Sequence, residues 1–130
     1  MKTRLFVLFS LLVIVAVGLV ACGGGAVTTG TNASTSKGNA TKGKTAFMST
    51  CSACHGADAK GVPSLGKDMT TSVFIKGLTD DQLLDFVKKG RPSSDPANTT
   101  KVDMPPKGGN PALSDQDLYD VIAFIRTVNK

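Results

Sequence analysis

The stretch CSACHG, residues 51 to 56, constrains this chain more than any other. Cys51 and Cys54 stand one helical turn apart, and His55, the only histidine of the chain, directly follows the second cysteine. Three chemistries use such a pattern: a redox-active dithiol, part of a zinc site, or the covalent attachment of a haem. Each of them makes a different demand on the rest of the chain, so the surrounding sequence distinguishes between them.

The zinc and dithiol interpretations find little support around this stretch. A structural zinc site uses four ligands, and CSACHG offers at most three. A thioredoxin-like dithiol is typical of a strand–helix–strand setting, whereas the flanking segments contain no run of β-branched residues. C-x-x-C-H is the attachment motif of c-type haems. We therefore predict that Cys51 and Cys54 bind one haem c through thioether bonds and that His55 is the proximal iron ligand.

The N-terminal segment has the layout of an export signal. Two cations precede an apolar run from residue 5 to residue 20, which is the order of regions in a signal peptide. A retained membrane helix is the alternative, because the run approaches the length of a short span. LVAC, residues 19 to 22, resembles the bacterial lipobox, in which the signal is cut before the cysteine and that thiol is lipidated. The sequence thus predicts a signal peptide at residues 1–21 and a lipid anchor on Cys22.

A segment of low complexity follows the lipobox. Residues 22–40 consist almost entirely of Gly, Thr, Ser, Asn and Ala, a composition that lacks the large apolar side chains of a core. We interpret residues 22–40 as a flexible tether with a typical reach of about 20–25 Å. Residues 41–130 then form one small domain, whose modest core would gain apolar contact from a bound haem.

The basic charge of the chain does not indicate a nucleic-acid partner. The formal net charge is +5, and loss of Lys2 and Arg4 with the signal peptide lowers it by two, to +3. Basic patches with interleaved aromatic residues are typical of nucleic-acid binding, and the sequence contains none. We therefore predict no nucleic-acid partner.

Three segments of the predicted domain carry helical signals. The first runs from about residue 41 to residue 54. The second, TDDQLLDFVKKG at residues 79–90, has capping-box spacing and acidic residues at its start, and lysines and a glycine at its end. The third, SDQDLYDVIAFIRTVNK, has Ser114 as its predicted cap and apolar residues at helical spacing. No stretch of useful length alternates with a period of two, so the sequence predicts an all-α fold.

The order of these segments around CSACH resembles that of the class I cytochromes c, over most of residues 41–128. GKTAF before the cysteines and DVIAFIR near the end are similar to the crossed N- and C-terminal helices of that family. The resemblance implies that Gly43 and Phe47 pack against Val121 and Phe124. It also implies the cytochrome c fold, with three to five helices wrapped around one covalently bound haem c.

The resemblance further implies how the iron is held on its two sides. GVPSLG resembles the loop after the haem motif, so the Pro63 carbonyl is expected to accept a hydrogen bond from His55. The family usually supplies a methionine sulfur as the sixth ligand, from a loop before the last helix. Met104, in VDMPPKGG, is our predicted distal ligand, and the two prolines after it stiffen the loop. Met69 is a minor alternative, and Met48 is expected to pack in the core or on the surface.

An electron carrier is the function that these ligands predict, because both axial positions are filled. The resemblance implies a monohaem cytochrome c, not an enzyme. The lipid predicted on Cys22 would hold it on the outer, periplasmic or extracytoplasmic, face of the bacterial cell membrane. Its expected partners are a quinol-oxidising complex as donor and a terminal oxidase or photosynthetic reaction centre as acceptor. It would act as a tethered shuttle or as a fixed subunit, such as the lipid-anchored monohaem subunit of an alternative complex III.

Two other functions stay open at this point. A haem domain with an open or labile sixth position would bind gases as a sensor or act as a small peroxidase. Peroxide chemistry needs a distal acid or base, and the chain has no second histidine and no glutamate. A purely structural haem domain would dock a larger enzyme without exchanging electrons. The loop RPSSDPANTTKVD, residues 91–103, precedes the predicted distal ligand and has no predicted role.

Overall fold

The computed structural model describes residues 37 to 130. The predicted signal peptide, the lipid anchor on Cys22 and most of the predicted tether lie outside the described residues. Residues 37 to 130 contain five α-helices: α1 (Ala40–Thr50), α2 (Ser52–His55), α3 (Val73–Gly77), α4 (Asp80–Lys89) and α5 (Asp115–Val128), with a short 3-10 helix at Pro106–Gly109. Residues 37 to 130 contain no strand beyond a single isolated bridge. The prediction of an all-α fold is confirmed.

Helices α1 and α5 pack directly against each other, as predicted. A Cβ atom at Gly43 of α1 would lie 1.7 Å from the carbonyl oxygen of Asp120 and 2.8 Å from the amide nitrogen of Val121. Along α1, Phe47 is fully buried, and its ring centroid lies 5.1 Å from that of Phe124. The missing side chain at Gly43 therefore sets how closely the two helix backbones approach, and the aromatic pair fills the space beside them.

The starts of α4 and α5 follow from local hydrogen bonds. The Thr79 hydroxyl accepts from the Gln82 amide at 3.2 Å, and the Gln82 side chain accepts from the Thr79 amide at 2.9 Å. Ser114 and Asp117 form the same reciprocal box, with distances of 3.2 and 2.9 Å. Each box satisfies two amides that a helix start leaves without a helical partner, so both predicted boundaries are confirmed.

Arg126 fastens α5 to the chain between α3 and α4. Its guanidinium donates to the Asp80 carboxylate at 3.0 Å, to the Ile75 carbonyl at 2.6 Å and to the Leu78 carbonyl. Arg126 and Asp80 are both largely shielded from solvent, where charge-assisted bonds are stronger than on an open surface. The position of α4 relative to α5 is thereby determined.

The first described residues also pack on the helices. The Asn39 side chain caps α1 by accepting from the Thr41 and Lys42 amides, both at 3.0 Å. The Asn39 amide donates to the buried Asp120 carboxylate at 2.7 Å. Residues 37 to 39, assigned to the tether on composition alone, therefore contact the domain. Within residues 37 to 130, no helix has the length and apolar character needed to cross a membrane.

Candidate functional site

The two cysteines and the histidine lie where α1 ends. The sequence predicted one helix to residue 54, but α1 stops at Thr50 and the short helix α2 follows after Cys51. The Cys51 carbonyl accepts from the His55 amide at 3.0 Å, so the C-x-x-C-H stretch forms a single compact turn. Both thiols are free and partly buried. This is the arrangement that two thioether bonds to one porphyrin require.

The environment of Cys51 is unlike that of a redox-active thiol. Burial raises the pKa of the Cys51 thiol to about 11, with a smaller contribution from the neighbouring Cys54. The first cysteine of a catalytic C-x-x-C motif instead has a lowered pKa, because its thiolate is the nucleophile. The structure thus argues against the dithiol interpretation.

His55 has one ring nitrogen already engaged. Its Nδ1 lies 3.1 Å from the carbonyl oxygen of Lys67, and because a carbonyl only accepts, Nδ1 carries the proton and donates. Nε2 is then the nitrogen with a lone pair for a metal. Burial lowers the pKa of His55, against the opposing effect of the Lys67 bond. A neutral imidazole is the form that coordinates iron.

The predicted partner of His55 was the Pro63 carbonyl, and the structure corrects this to Lys67. The chain after the haem motif folds back on α2, with the Val62 amide donating to the Cys54 carbonyl at 2.9 Å. Gly66 then passes so close that a Cβ atom there would lie 2.0 Å from the Cys54 oxygen. The next carbonyl in the chain, that of Lys67, therefore meets His55. Any residue offers a main-chain carbonyl, so the acceptor need not be a proline. The glycine before Lys67, which allows the close approach, was the usable signal in the sequence.

Met104 lies at the end of the loop of residues 91–103. Its amide and carbonyl exchange hydrogen bonds with those of Arg91, at 2.8 and 2.9 Å. Four residues later, a Cβ atom at Gly108 would lie 3.1 Å from the Thr50 methyl carbon and 3.9 Å from Cys51 Sγ. The segment that carries Met104 therefore runs beside the attachment cysteine.

The other described methionines have different surroundings. Met69 is 9% exposed and belongs to the hydrophobic core. Its amide donates to the Ala59 carbonyl at 2.8 Å, and its carbonyl accepts from the Asn129 side chain at 2.6 Å. Met48 is 42% exposed on α1. Within residues 37 to 130, Met104 is thus the methionine whose surroundings best suit a distal ligand.

These residues fit a covalently bound haem. Cys51 and Cys54 offer free thiols at the attachment spacing, and His55 has one nitrogen held by a carbonyl and the other available. A hydrogen bond of this kind orients the ring and raises its basicity toward a metal. Met104 offers a sulfur on a neighbouring loop, and a methionine sulfur is a donor that haem iron takes opposite histidine in cytochromes c.

Comparison with known proteins identifies the family. The family model described as Cytochrome c matches residues 40–129. The chain belongs to the cytochrome c family. The cytochrome is 30% identical over 83 residues to cytochrome c-555 of Prosthecochloris aestuarii, which covers 64% of this chain and 81% of the relative. No solved structure matches it significantly.

Two subunits of cbb3-type cytochrome c oxidases are also similar to the cytochrome. It is 28% identical over 90 residues to subunit CcoP of Rhodobacter capsulatus, covering 68% of this chain and 29% of the subunit. It is 36% identical over 55 residues to subunit FixPc of Rhizobium leguminosarum bv. viciae, covering 42% of this chain and 19% of the subunit. The cytochrome thus spans less than a third of the length of these oxidase subunits.

Family membership identifies the cofactor that is attached at the CSACH turn. The cytochrome carries one haem c, attached covalently at Cys51 and Cys54 of the C-x-x-C-H motif. The bound iron accepts and releases one electron, so the chain is an electron-transfer protein. The predictions of a class I monohaem cytochrome c and of haem c as its cofactor are confirmed.

Proposed function

We propose that this cytochrome is a carrier of single electrons in which His55 and Met104 are the two axial ligands. The observation that supports it is the course of the segment after Met104, which returns to within contact of Thr50 and Cys51. With a nitrogen and a sulfur donor in place, an electron is exchanged without binding or release of a ligand. Methionine opposite histidine also favours the reduced state and raises the potential.

Carbon monoxide binding to the reduced protein tests this ligand set. We expect wild type to bind the gas only very slowly and Met104→Ala to bind it readily, because alanine leaves the sixth position without a donor. The reduction potential of Met104→Ala should fall on the order of 100 mV. The visible spectrum with and without the gas, and a redox titration, measure both effects.

Met48→Ala is the matched control, since it removes an exposed methionine from α1 and should behave as wild type. A Met104→Ala protein that still ignores carbon monoxide would exclude Met104 as the ligand. Ready binding by wild type would instead favour the gas-sensing or peroxidase-like alternative, in which the sixth position is open or labile.

Membrane anchoring is the second part of the proposal. Residues 1–21 are removed as a signal peptide, Cys22 carries the lipid, and residues 22–40 tether the domain on the outer face of the bacterial cell membrane. LVAC at the end of the apolar run supports this, and two or more acyl chains give the stable attachment that a single chain does not.

Intact-mass analysis of the membrane-purified protein tests the anchor. We expect a mature chain that begins at Cys22 and carries added acyl mass, and a Cys22→Ser variant without that mass. A mature wild-type chain that still begins at Met1 and carries no lipid would instead indicate a retained membrane helix.

Electron exchange with membrane complexes is the third part of the proposal. The donor is a quinol-oxidising complex, and the acceptor is a terminal oxidase or a photosynthetic reaction centre. The similarity to subunits of cbb3-type oxidases supports a partner of the oxidase class. Co-purification distinguishes the two modes of action: a fixed subunit, as in an alternative complex III, stays with its complex after detergent extraction in salt, whereas a tethered shuttle dissociates.

A further inference from the structure

The loop of residues 91–103 folds around one buried side chain. Asn98 is 5% exposed, although it lies in a segment rich in proline, serine and threonine that has no helix or strand. Its side chain makes four hydrogen bonds, all within the loop: Nδ2 donates to the carbonyls of Val102 (2.8 Å) and Pro92 (3.1 Å), and Oδ1 accepts from the Lys101 amide and the Thr100 hydroxyl (both 3.0 Å).

These bonds join the two ends of the loop. Pro92 follows Arg91, and Val102 lies two residues before Met104, so Nδ2 connects the two chain segments that converge on the Arg91–Met104 bridge. Beside this bridge, the Asp103 carboxylate accepts from the Ser93 amide. Asn98 therefore holds together the base of the loop, from which Met104 leaves.

The base of the loop is in turn fixed to the helices. The Arg91 guanidinium carbon lies 4.9 Å from the ring centroid of Phe74 on α3 and 4.8 Å from that of Phe86 on α4. Arg91 Nε also lies 3.3 Å from an Asp95 carboxylate oxygen. Cation–π contacts of this geometry are favourable when they are partly desolvated. Arg91, whose backbone bonds to that of Met104, is thus held by its side chain against both α3 and α4.

Gly90, at the end of α4, adds a second constraint. A Cβ atom there would lie 2.3 Å from the Met104 carbonyl oxygen, so the Met104 backbone runs directly against the end of the helix. With its amide and carbonyl bonded to Arg91 and this contact behind it, Met104 has little backbone freedom as long as the loop stays closed.

We propose that Asn98 is a positioning residue for Met104, acting through the Arg91–Met104 bridge. The inference rests on the proposed role of Met104 as the distal ligand. A ligand held in its bound geometry by rigid surroundings loses little entropy on binding, and a thioether on a loose loop would dissociate more often. Removing the Asn98 amide leaves the Pro92 and Val102 carbonyls without this donor and lets the loop open.

The rate of carbon monoxide binding to the reduced holoprotein measures how often the distal ligand leaves. Carbon monoxide binds only when the sixth position is open, so the rate follows the open fraction. For Asn98→Ala we expect an increase of about tenfold, equivalent to about 1.4 kcal/mol, which is the size of one or two buried hydrogen bonds. The ferric absorption band that arises from methionine sulfur on the iron should weaken in parallel.

Asn129→Ala is the matched control. Asn129 also donates to two main-chain carbonyls, those of Met69 (2.6 Å) and Ser72 (3.3 Å), but at the end of α5. The Asn129→Ala substitution should lower the thermal stability of the protein without changing the rate of carbon monoxide binding. Equal rates in Asn98→Ala and Asn129→Ala would overturn the positioning role.

Two further variants separate the remaining outcomes. If Asn98→Ala does not yield folded holoprotein, Thr100→Val removes one contact of the same side chain and should raise the rate about two- to threefold, while a wild-type rate would overturn the inference. If Met104→Ala binds no carbon monoxide, the ligand proposal itself fails. If Met104→Ala binds the gas and neither loop variant changes the rate, only the role of Asn98 fails.

Discussion

Gly43→Ala is expected to destabilise the holoprotein by about 3 kcal/mol, at the upper end of overpacking costs. The new methyl group would lie 1.7 Å from the Asp120 carbonyl oxygen. No side-chain torsion moves either a Cβ atom or a main-chain oxygen, so neither can rotate away. Helices α1 and α5 must then separate by roughly 1–2 Å to restore normal contact. The separation would also open the Phe47–Phe124 contact, whose ring centroids lie 5.1 Å apart. The melting temperature should fall by at least about 10 °C.

Gly77→Ala is the control for this substitution. Gly77 ends α3, and a Cβ atom there would meet nothing within 4 Å. The free energy of unfolding of the Gly77→Ala protein should therefore stay within about 0.5 kcal/mol of wild type. It could also rise slightly, because alanine restricts the unfolded chain. Thermal unfolding of the two variants side by side measures the difference. Equal melting temperatures would mean that the helix contact at Gly43 tolerates a methyl group.

Gly66→Ala is expected to raise the reduction potential as well as to destabilise the fold. The methyl group would lie 2.0 Å from the Cys54 carbonyl oxygen, so the segment that begins at Gly66 must move away from α2. The Lys67 carbonyl then leaves His55 Nδ1, from which it is 3.1 Å distant in wild type. Without this acceptor the imidazole is a weaker electron donor. A hydrogen bond of about 1 kcal/mol corresponds to roughly 40 mV in a one-electron potential.

Two further variants, which both keep their main-chain carbonyl oxygens, are the controls for Gly66→Ala. Lys67→Ala keeps the main-chain oxygen, and Pro63→Ala alters the residue that the family resemblance first suggested, so both should leave the potential close to that of wild type. Redox titration of the three holoproteins measures the effect. A Gly66→Ala potential equal to that of these two variants would mean that the Lys67 carbonyl does not tune His55.

Features encoded within a few consecutive residues could be predicted from the sequence. The C-x-x-C-H motif contains both attachment thiols and the histidine that we propose as the proximal ligand. The caps at Thr79 and Ser114 act over three residues, so the starts of α4 and α5 were predicted correctly. The contact of α1 with α5 spans the length of the domain, and it was predicted only because GKTAF and DVIAFIR resemble a known pair of helices.

Features that depend on close approach between distant residues were missed. The acceptor for His55 was assigned to Pro63, because the resemblance suggested a proline and could not show where Gly66 passes α2. The loop of residues 91–103 was left without a role, because its polar composition conceals that Asn98 is buried.

The sequence by itself determined the chemistry of this protein: haem attachment at Cys51 and Cys54, with His55 beside them as the proposed ligand, and an all-α domain. These depend on residue identity and on spacings of a few residues, which the backbone of a helical turn converts directly into geometry. The tertiary structure alone decided that Lys67 meets His55 and that Asn98 closes the loop that ends at Met104. These contacts depend on how closely distant backbone segments approach each other. The packing of the whole domain sets that distance.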